Sequence, residues 1–275
     1  MRQRLSRRKL FSAIRPADPG PDENRGIDDP PAGRGNHAVS TANHHPSSTY
    51  NGEKYLPSQL QSFLDQSGVD WCLAWRDDGS EDNTVTVMQA FTRLAGPERC
   101  VQSPSSGPHL GAAASFLLLL AENQDSPYLA FADQDDFWLP EKLQRSLALL
   151  GPPDGKPALY CARQTLTDDD FSYPTPSMKF PGTPGFPASL AQNVATGNTV
   201  VMNDAAAKLV SAVPPPEASN HDWWSYILVS ACGGRVVYDE IPSMLYRQHA
   251  KTRSARRCSR SAGRSPRWNA DPASI

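Results

Sequence analysis

The chain of 275 residues can bury a sizeable core, in one large domain or two small ones, and 39% of its residues are hydrophobic. Residues 49–250 carry 12 basic and 23 acidic residues, whereas 15 of the 27 basic residues lie in residues 1–48 and 251–275. This acidic body argues against broad nucleic-acid binding, which requires a basic face. The longest apolar run, residues 112–121, is too short to cross a bilayer.

The two ends differ from the middle in composition. Residues 1–48 mix Arg, Pro, Gly and His without periodicity, and residues 251–275 are rich in Arg and Ser. We predict an irregular segment over 1–48, a folded domain over 49–250 and a basic irregular tail over 251–275. The cysteines are odd in number, widely spaced and without a C-x-x-C pair, which predicts reduced thiols in a cytoplasmic protein.

From Thr49 onward, segments with helix and strand periodicity alternate. In chain order the patterns predict a helix over 56–64, a strand over 69–75, a helix capped by Asp82 and running to 94, a strand over 98–102, a helix over 110–122, a strand over 128–131, a helix over 141–150 and a strand over 158–162. Strands that alternate with helices predict a parallel or mixed sheet covered on both faces.

The segment Asp168 to Pro187 interrupts this alternation. It is polar, contains five prolines and has no period, which predicts a long loop that closes over a site like a lid. After it the patterns predict a regular segment over 197–203, helices over 204–213 and 221–232, and a strand over 235–238.

Three carboxylates follow an apolar strand in the middle of the chain. The run Tyr128 to Phe131 leads directly to Asp133, Asp135 and Asp136. Such residues lie at the carboxyl mouth of a strand, where open α/β sheets bind ligands. Because crowded carboxylates repel one another, a hard cation such as Mg²⁺ or Mn²⁺ fits this position. The alternative is a solvated acidic loop.

Five short motifs resemble, in order, those of family 2 glycosyltransferases, and most closely the bacterial rhamnosyltransferase branch. They are Thr49-Tyr50-Asn51-Gly52-Glu53, Asp77-Asp78-Gly79-Ser80-x-Asp82, Asp133-Gln134-Asp135-Asp136-x-Trp138-x-Pro140-x-Lys142, His221-Asp222-Trp223-Trp224 and Tyr246-Arg247-Gln248-His249. The resemblance covers about residues 49–249. It implies a GT-A fold, which is a Rossmann-like α/β fold with a mixed, mostly parallel sheet covered by helices on both faces. The nucleotide-sugar half would span 49–165 and the acceptor half 166–250.

The resemblance also implies a nucleotide site. Thr49 and Tyr50 would flank the base, and Asp77 or Asp78 would accept a hydrogen bond from the base imide. Asp133 would contact the ribose or the metal shell. For Thr49 and Tyr50 the alternative is an ordinary strand end, and for Asp77 and Asp78 it is a structural turn.

The remaining implied roles concern metal and acceptor. Asp135 would bind the Mg²⁺ or Mn²⁺ ion and His249 would complete its shell, unless His249 is structural. Asp222 would be the general base, with a helix N-cap as the alternative. Trp223 and Trp224 would line the acceptor pocket, with one of them belonging to the core instead.

Three further residues of these motifs also have expected roles. Arg247 would pair with a phosphate, Asp136 would cap the following helix, and Trp138 would be a packing residue.

The segment before Thr49 departs from the family pattern. An apolar first strand is expected there, but residues 40–48 are polar and include Pro46. We therefore predict that the first strand is missing or altered, and that it cannot form a buried parallel strand.

The resulting functional prediction is an inverting, metal-dependent glycosyltransferase. It would move rhamnose from dTDP-rhamnose to a saccharide or lipid-linked saccharide during cell-surface polysaccharide synthesis, with UDP-linked donors open. It would be cytoplasmic, with at most peripheral contact at the inner face of the membrane. The alternatives are an inactive remnant that has lost its first strand and a Mg²⁺-dependent phosphohydrolase.

Overall fold

The computed structural model describes residues 43–217 and 219–249, so most of the predicted N-terminal segment and all of the basic tail lie outside the described residues. The helices are α1 (Leu56–Leu64), α2 (Thr84–Ala95), α3 (Ala112–Glu122), α4 (Lys142–Leu150), α5 (Asp204–Ala212) and α6 (His221–Ala231). The strands are β1 (Asn43–Thr49), β2 (Trp71–Asp77), β3 (Cys100–Gln102), β4 (Tyr128–Ala130), β5 (Phe137–Trp138), β6 (Ala158–Ala162), β7 (Thr165–Thr167), β8 (Thr175–Pro176), β9 (Val201–Asn203), β10 (Arg235–Asp239) and β11 (Met244–Arg247). Every predicted helix is present, within two residues of its predicted bounds.

The main sheet has the strand order β10-β6-β9-β4-β1-β2-β3. β4, β1, β2 and β3 run parallel to one another, and β6 runs parallel to β10. β9 lies between β4 and β6 and is antiparallel to both. A smaller sheet has the order β5-β11-β7-β8. The predicted α/β class with a mixed, mostly parallel sheet is confirmed.

Helices cover both faces of the main sheet. On one face, residues such as Leu73 of β2 and Tyr160 of β6 pack with α1, α2 and α4. On the other, Leu129 of β4 and Met202 of β9 pack with α3, α5 and α6. Alternate residues of one strand enter opposite clusters, as the two-residue period of a strand requires. The carboxyl ends of β1, β2 and β4 therefore meet at one edge between two packed layers.

The prediction that residues 40–48 cannot form a buried parallel strand is wrong. β1 pairs in parallel with β2 from Asn43 opposite Trp71 to Thr49 opposite Asp77, and His44 of β1 lies opposite Leu129 of β4. Backbone pairing with two neighbours holds β1 in place, and the small Ser and Thr side chains fit between the layers. The folded region thus begins upstream of the predicted boundary at Thr49.

The polar composition of β1 has a local cost. His45 is 2% exposed and packs edge-on against Trp138, with 5.5 Å between the ring centroids. Neither of its ring nitrogens has a hydrogen-bond partner among the described residues. Burial, with the positive charges of Lys142 and His44, lowers the pKa of His45 well below its usual value. A buried polar group without a partner destabilises a fold.

The described cysteines are free thiols, and three of them are buried: Cys72, Cys100 and Cys161. Cys232 is exposed. No helix in the described parts of the chain combines the length and the apolar character that a bilayer crossing demands.

Candidate active site

A cavity of about 260 Å³ opens where β1, β2 and β4 end. Its lining brings together four residues predicted from the sequence, namely Tyr50, Asp78, Asp133 and Asp135, with Ser48, His109, Ala112, Phe116 and Gln134. A larger groove of about 500 Å³ lies between α4 and the β10–β11 connection and contains none of the predicted site residues. We place the site in the smaller cavity because the chemically active side chains converge there.

Asp77 ends β2 and closes a turn. Its Oδ2 accepts hydrogen bonds from the backbone N–H groups of Gly79 (3.1 Å) and Ser80 (2.9 Å), and its Oδ1 accepts one from the Ser80 hydroxyl (2.6 Å). Gly79 has φ +87°, a conformation that favours glycine. The Thr49 hydroxyl is buried and donates to the Arg76 carbonyl (3.2 Å). These contacts are those of a strand end and its turn.

Asp78 is 2% exposed and lies in the cavity wall with its carboxylate already occupied. Oδ1 accepts from Leu110 N (2.7 Å), Ser115 Oγ (3.0 Å) and the Arg76 guanidinium, and Oδ2 accepts from Gly111 N (2.9 Å). Burial alone would raise the pKa of Asp78, but these hydrogen bonds outweigh it and lower the pKa. A carboxylate has about four acceptor positions, so little capacity is left for a ligand.

Two rings stand at the mouth of this cavity. Tyr50 is 45% exposed, and its ring centroid lies 4.8 Å from that of His109. The Gln134 amide fixes Tyr50 by accepting from its backbone N–H and donating to its carbonyl, both at 2.8 Å. Sequence reasoning missed His109 and Gln134. Gln134 lies inside the acidic motif, whereas His109 lies in an aperiodic Ser/Gly/Pro loop that carries no signal.

Few positive charges offset the three carboxylates of the acidic loop after β4, residues 133–136. Burial, with the charges of Asp135 and Asp222, raises the pKa of Asp133 to about 7. Asp136 is fully buried, and burial with the charges of Asp135 and Asp133 raises its pKa well above the usual value. The nearest amine is the buried Lys142, whose pKa burial lowers to about 7. The loop therefore favours binding of a proton or an external cation.

Asp136 and Trp138 have structural roles. The Asp136 carboxylate accepts from the Asn198 side-chain amide and from Arg247 N (3.3 Å). The N-cap of α4 is Glu141, so the prediction that Asp136 caps this helix is wrong. Trp138 is fully buried and lies under the Lys142 ammonium, 3.8 Å from its ring centroid, which agrees with a packing role.

Asp135 and His249 meet beside the cavity. His249 Nε2 lies 2.6 Å from Asp135 Oδ2. No cluster of three or more His, Cys, Asp or Glu side chains suited to a metal ion occurs within residues 43–217 and 219–249. Mg²⁺ in phosphate-transfer sites is commonly held by one or two carboxylates, with water and substrate phosphates as its other ligands. The pair offers one carboxylate oxygen and one imidazole nitrogen, which are ligand types that divalent cations take in proteins.

Arg247 is buried and fully engaged with the protein. Its Nε donates to the Asp135 carbonyl (2.8 Å), one terminal nitrogen donates to Ser58 Oγ (3.1 Å), and the other donates to the Asp169 carbonyl. The guanidinium also lies over the ring of Phe171, at 4.1 Å from its centroid. The expectation that Arg247 pairs with a phosphate is wrong, because it instead ties the acidic loop to α1 and to the loop after β7.

Asp222 lies in the first turn of α6 and is 9% exposed. Its Oδ2 accepts from Gly197 N (2.9 Å) and its Oδ1 from Trp223 N (2.6 Å), and burial raises its pKa. Asn220 holds the N-cap position, so the alternative that Asp222 is the N-cap is wrong. Residues 197 and 198 connect Asp222 to the acidic loop, because Gly197 N donates to Asp222 and the Asn198 side-chain amide donates to Asp136.

Trp223 and Trp224 both lie on α6 next to Asp222, outside the cavity wall. The Trp223 indole donates to the Ser189 carbonyl (2.7 Å) and packs on the core, and the Trp224 indole donates to the Val213 carbonyl (2.9 Å). Trp223 thus has the core contacts foreseen for one of the two. Their predicted acceptor role stays a prediction.

The mixed sheet with helices on both faces is a GT-A fold. Solved structures with this fold include S. aureus TarS 1-349 in complex with UDP-GlcNAc, with a TM-score of 0.59, 16% identity, and coverage of 76% of this chain and 59% of that one. The mannosyltransferase PcManGT from Pyrobaculum calidifontis, in complex with GDP-Man and Mn²⁺, has a TM-score of 0.56, 13% identity, and coverage of 81% and 62%. The chain thus spans less than two thirds of these solved proteins.

Residues 48–206 match the family model for glycosyl transferase family 2, and the chain belongs to this family. It is 28% identical over 221 residues to the dTDP-rhamnosyl transferase RfbG of Shigella flexneri, covering 73% of this chain and 71% of that protein. It is 30% identical over 102 residues to the putative teichuronic acid biosynthesis glycosyltransferase TuaG of Bacillus subtilis (strain 168), covering 37% and 39%.

Proposed function

We propose that the protein is an inverting glycosyltransferase that moves rhamnose from dTDP-rhamnose to a saccharide acceptor in cell-surface polysaccharide synthesis. One observation carries this proposal: Asp222, a buried carboxylate of raised pKa, is joined through Gly197 and Asn198 to the acidic loop that carries Asp135, and Asp135 pairs with His249. The dTDP-rhamnosyl transferase among its relatives supports the choice of donor. UDP-linked donors are the competing choice, supported by the TarS complexes.

The nucleotide would occupy the cavity at the ends of β1, β2 and β4. Tyr50 and His109 offer ring faces at its mouth, and such faces suit a nucleobase. Asp133 would contact the ribose. A hydrogen bond from the base imide to Asp77 or Asp78 stays a prediction, and the occupied carboxylates of both residues count against it.

Asp135 and His249 would hold the Mg²⁺ or Mn²⁺ ion. When bound, such an ion stabilises the negative charge that develops on a departing nucleoside diphosphate. The PcManGT complex contains Mn²⁺, which supports a divalent cation in the fold. Arg247 holds the Asp135 backbone in place through the carbonyl of that residue.

Asp222 would act as the general base. It takes the proton from the acceptor hydroxyl while that oxygen bonds to the anomeric carbon, and the bond from this carbon to the diphosphate oxygen breaks. One displacement inverts the configuration, so no enzyme nucleophile is needed. A raised pKa makes Asp222 a stronger base than an ordinary carboxylate, which suits this proton transfer.

The acceptor would lie over residues 166–250, near Trp223 and Trp224. A saccharide or lipid-linked saccharide fits the indole surfaces that such sites use. The reaction would take place in the cytoplasm, with at most peripheral contact at the inner face of the membrane. The inactive-remnant alternative loses its main support, because the strand whose loss motivated it is present as β1.

The test is a transfer assay with a defined product. The protein is incubated with dTDP-rhamnose or UDP-GlcNAc, Mn²⁺ and a panel of saccharide acceptors, and the product linkage is assigned by NMR. The proposal expects acceptor-dependent dTDP release and an inverted anomeric centre. Nucleotide release that needs no acceptor indicates a hydrolase instead, and a retained configuration contradicts the role given to Asp222.

A further inference from the structure

Asp169, in the loop after β7, contacts the nitrogen of His249 that faces away from Asp135. His249 Nδ1 lies 3.2 Å from Asp169 Oδ1, while Nε2 lies 2.6 Å from Asp135 Oδ2. The His249 imidazole thus bridges two loops: the acidic loop after β4, residues 133–136, and the Pro-rich loop after β7, residues 168–187. The sequence patterns gave Asp169 no role.

Many histidines that bind a metal ion through one ring nitrogen donate a hydrogen bond from the other ring nitrogen to a carboxylate. In a neutral imidazole one nitrogen is a donor and the other an acceptor. Nε2 also contacts a carboxylate, that of Asp135, so a cation bound by this pair would take the place of that contact. The hydrogen bond from Nδ1 to Asp169 would keep the imidazole proton on Nδ1 while the lone pair of Nε2 binds the cation. Asp169 therefore favours the tautomer of His249 that can act as a ligand together with Asp135.

Asp169 is itself held by several contacts. The Lys54 ammonium and the Tyr55 hydroxyl each lie 3.5 Å from its Oδ2. Its backbone carbonyl accepts from the buried Arg247 guanidinium, which also binds the Asp135 carbonyl. The Tyr55 ring lies 5.0 Å from the His249 ring, between centroids. One arginine thus fixes the two backbone segments whose carboxylates flank the imidazole.

We infer that Asp169 is a positioning residue for the cation site: it orients His249 through Nδ1 and so couples the Pro-rich loop to cation binding by Asp135 and His249. This inference rests on the proposed metal-dependent function. It also gives the predicted lid-like loop a chemical contact with the site, since the loop meets the metal-binding pair through this carboxylate.

The experiment measures Mn²⁺ affinity directly, by titration of the metal-free protein followed by electron paramagnetic resonance, without donor or acceptor. Four variants are compared with the natural protein: Asp169→Ala, Asp169→Asn, Asp135→Asn and the charge-matched control Asp154→Asn. Asp154 is exposed in the α4–β6 connection, where its carboxylate accepts from Lys156 N. Thermal unfolding of each metal-free variant shows whether it folds.

The expected result is a loss of about 10- to 100-fold in Mn²⁺ affinity for Asp169→Ala, the range found when a partner of a metal-bound histidine is removed. Asp169→Asn keeps an acceptor oxygen for Nδ1, so its loss should be smaller. Asp154→Asn should bind as the natural protein does. The ¹⁵N resonances of His249 in the metal-free protein should shift in Asp169→Ala and not in Asp154→Asn.

Two results would overturn the inference in distinguishable ways. If the natural protein binds Mn²⁺ and Asp135→Asn does not, but a folded Asp169→Ala binds as well as the natural protein, Asp169 is not a positioning residue and the proposed metal site stands. If the natural protein binds no Mn²⁺, both the inference and the metal dependence of the proposed function fail.

Discussion

Carboxylates after β2 and after β4 line one cavity, Asp78 from the first group and Asp133 and Asp135 from the second, but the two groups differ in their hydrogen bonding. Asp77 and Asp78 accept hydrogen bonds from backbone N–H groups, hydroxyls and a buried guanidinium, and these lower the pKa of Asp78. Among the residues that the structure describes, no comparable set of donors reaches the Asp133 carboxylate, and burial raises its pKa to about 7. Identical side chains at the ends of β2 and β4, the two strands that flank β1, thus differ in whether the protein itself supplies hydrogen-bond donors to them.

This difference separates structural from reactive carboxylates. A carboxylate whose acceptor positions are filled contributes to stability and has little to offer a ligand. A buried carboxylate without donors favours a proton or a cation, which is the property that acid–base and metal sites use. We therefore expect substitutions near β2 to affect mainly folding, and those near β4 to affect mainly activity. Asp222 on α6 belongs with the second group, because burial raises its pKa in spite of its two backbone donors.

The largest effect is expected for Asp222→Asn. Removing a general base lowers kcat by about 10²- to 10⁴-fold. The unfolding temperature should fall only modestly, because Asn keeps one of the two acceptor oxygens that bond Gly197 N and Trp223 N. In the natural enzyme, kcat should fall as the pH drops through the raised pKa of Asp222, since the base must be ionised. Steady-state kinetics over a pH series measure both.

Asp204→Asn is the matched control for this substitution. Asp204 also lies in the first turn of a helix, α5, where it pairs with Lys208 on the surface. Its activity should stay close to that of the natural enzyme. Equal losses in the two variants would contradict the assignment of Asp222.

The next effect is expected for Asp78→Ala. This change leaves the Arg76 guanidinium buried without its carboxylate, and breaking a buried ion pair on one side costs about 3–5 kcal/mol. The free energy of unfolding, from urea titration, should fall by that order. The double variant Asp78→Ala/Arg76→Met should recover part of the loss. A fully stable Asp78→Ala that no longer binds nucleotide would instead show that Asp78 is a ligand contact.

The smallest effect is a gain, for His45→Val. It removes two buried ring nitrogens without partners, so stability should rise by about 1–3 kcal/mol. His44→Val serves as the control and should not stabilise, because the His44 ring bonds the Asn123 side chain at 2.8 Å. Urea unfolding at neutral pH compares the three proteins.

The advantage of His45→Val should grow in acid. The unfolded chain binds a proton on His45 near its ordinary pKa of about 6.5, while the folded protein, whose pKa is lowered, does not. The natural protein therefore loses stability as the pH falls below that value, by about 1.4 kcal/mol per pH unit from this residue. An unchanged difference between the two proteins from pH 7 to pH 5 would contradict the burial of a neutral His45.

The sequence predicted the elements whose signals are local. Helix spacing predicted the positions of α1 to α6, although the N-cap of α2 is Asn83 and not the predicted Asp82. The apolar run before Asp133 predicted β4 and the acidic residues at its end. The prediction for β1 was wrong, because this strand is held by backbone pairing with β2 and β4 and not by apolar residues of its own. The short strands β5 and β7 also pair with the distant β11, and β8 is a two-residue strand beside β7, so all three have little pattern of their own.

The site was predictable in its residue types but not in their partners. The acidic motif identified Asp133 and Asp135 and the late motif identified His249. The donors that saturate Asp78 come from the loop at Leu110 and Gly111, and the contacts that occupy Arg247 come from α1 and the loop after β7. Such long-range contacts decide whether a charged side chain is free to act, and no spacing rule encodes them.

The most direct test of the central claim is thermal unfolding with dTDP or UDP, with and without Mn²⁺, for the natural protein and Asp135→Asn. A ligand that binds only the folded state raises the unfolding temperature. The account predicts a rise with nucleotide that increases with Mn²⁺ and loses the Mn²⁺-dependent part in Asp135→Asn. An unfolding temperature that neither nucleotide nor Mn²⁺ changes would contradict a metal-assisted nucleotide site at the end of β4. An equal rise with Mn²⁺ in the natural protein and in Asp135→Asn would contradict it as well.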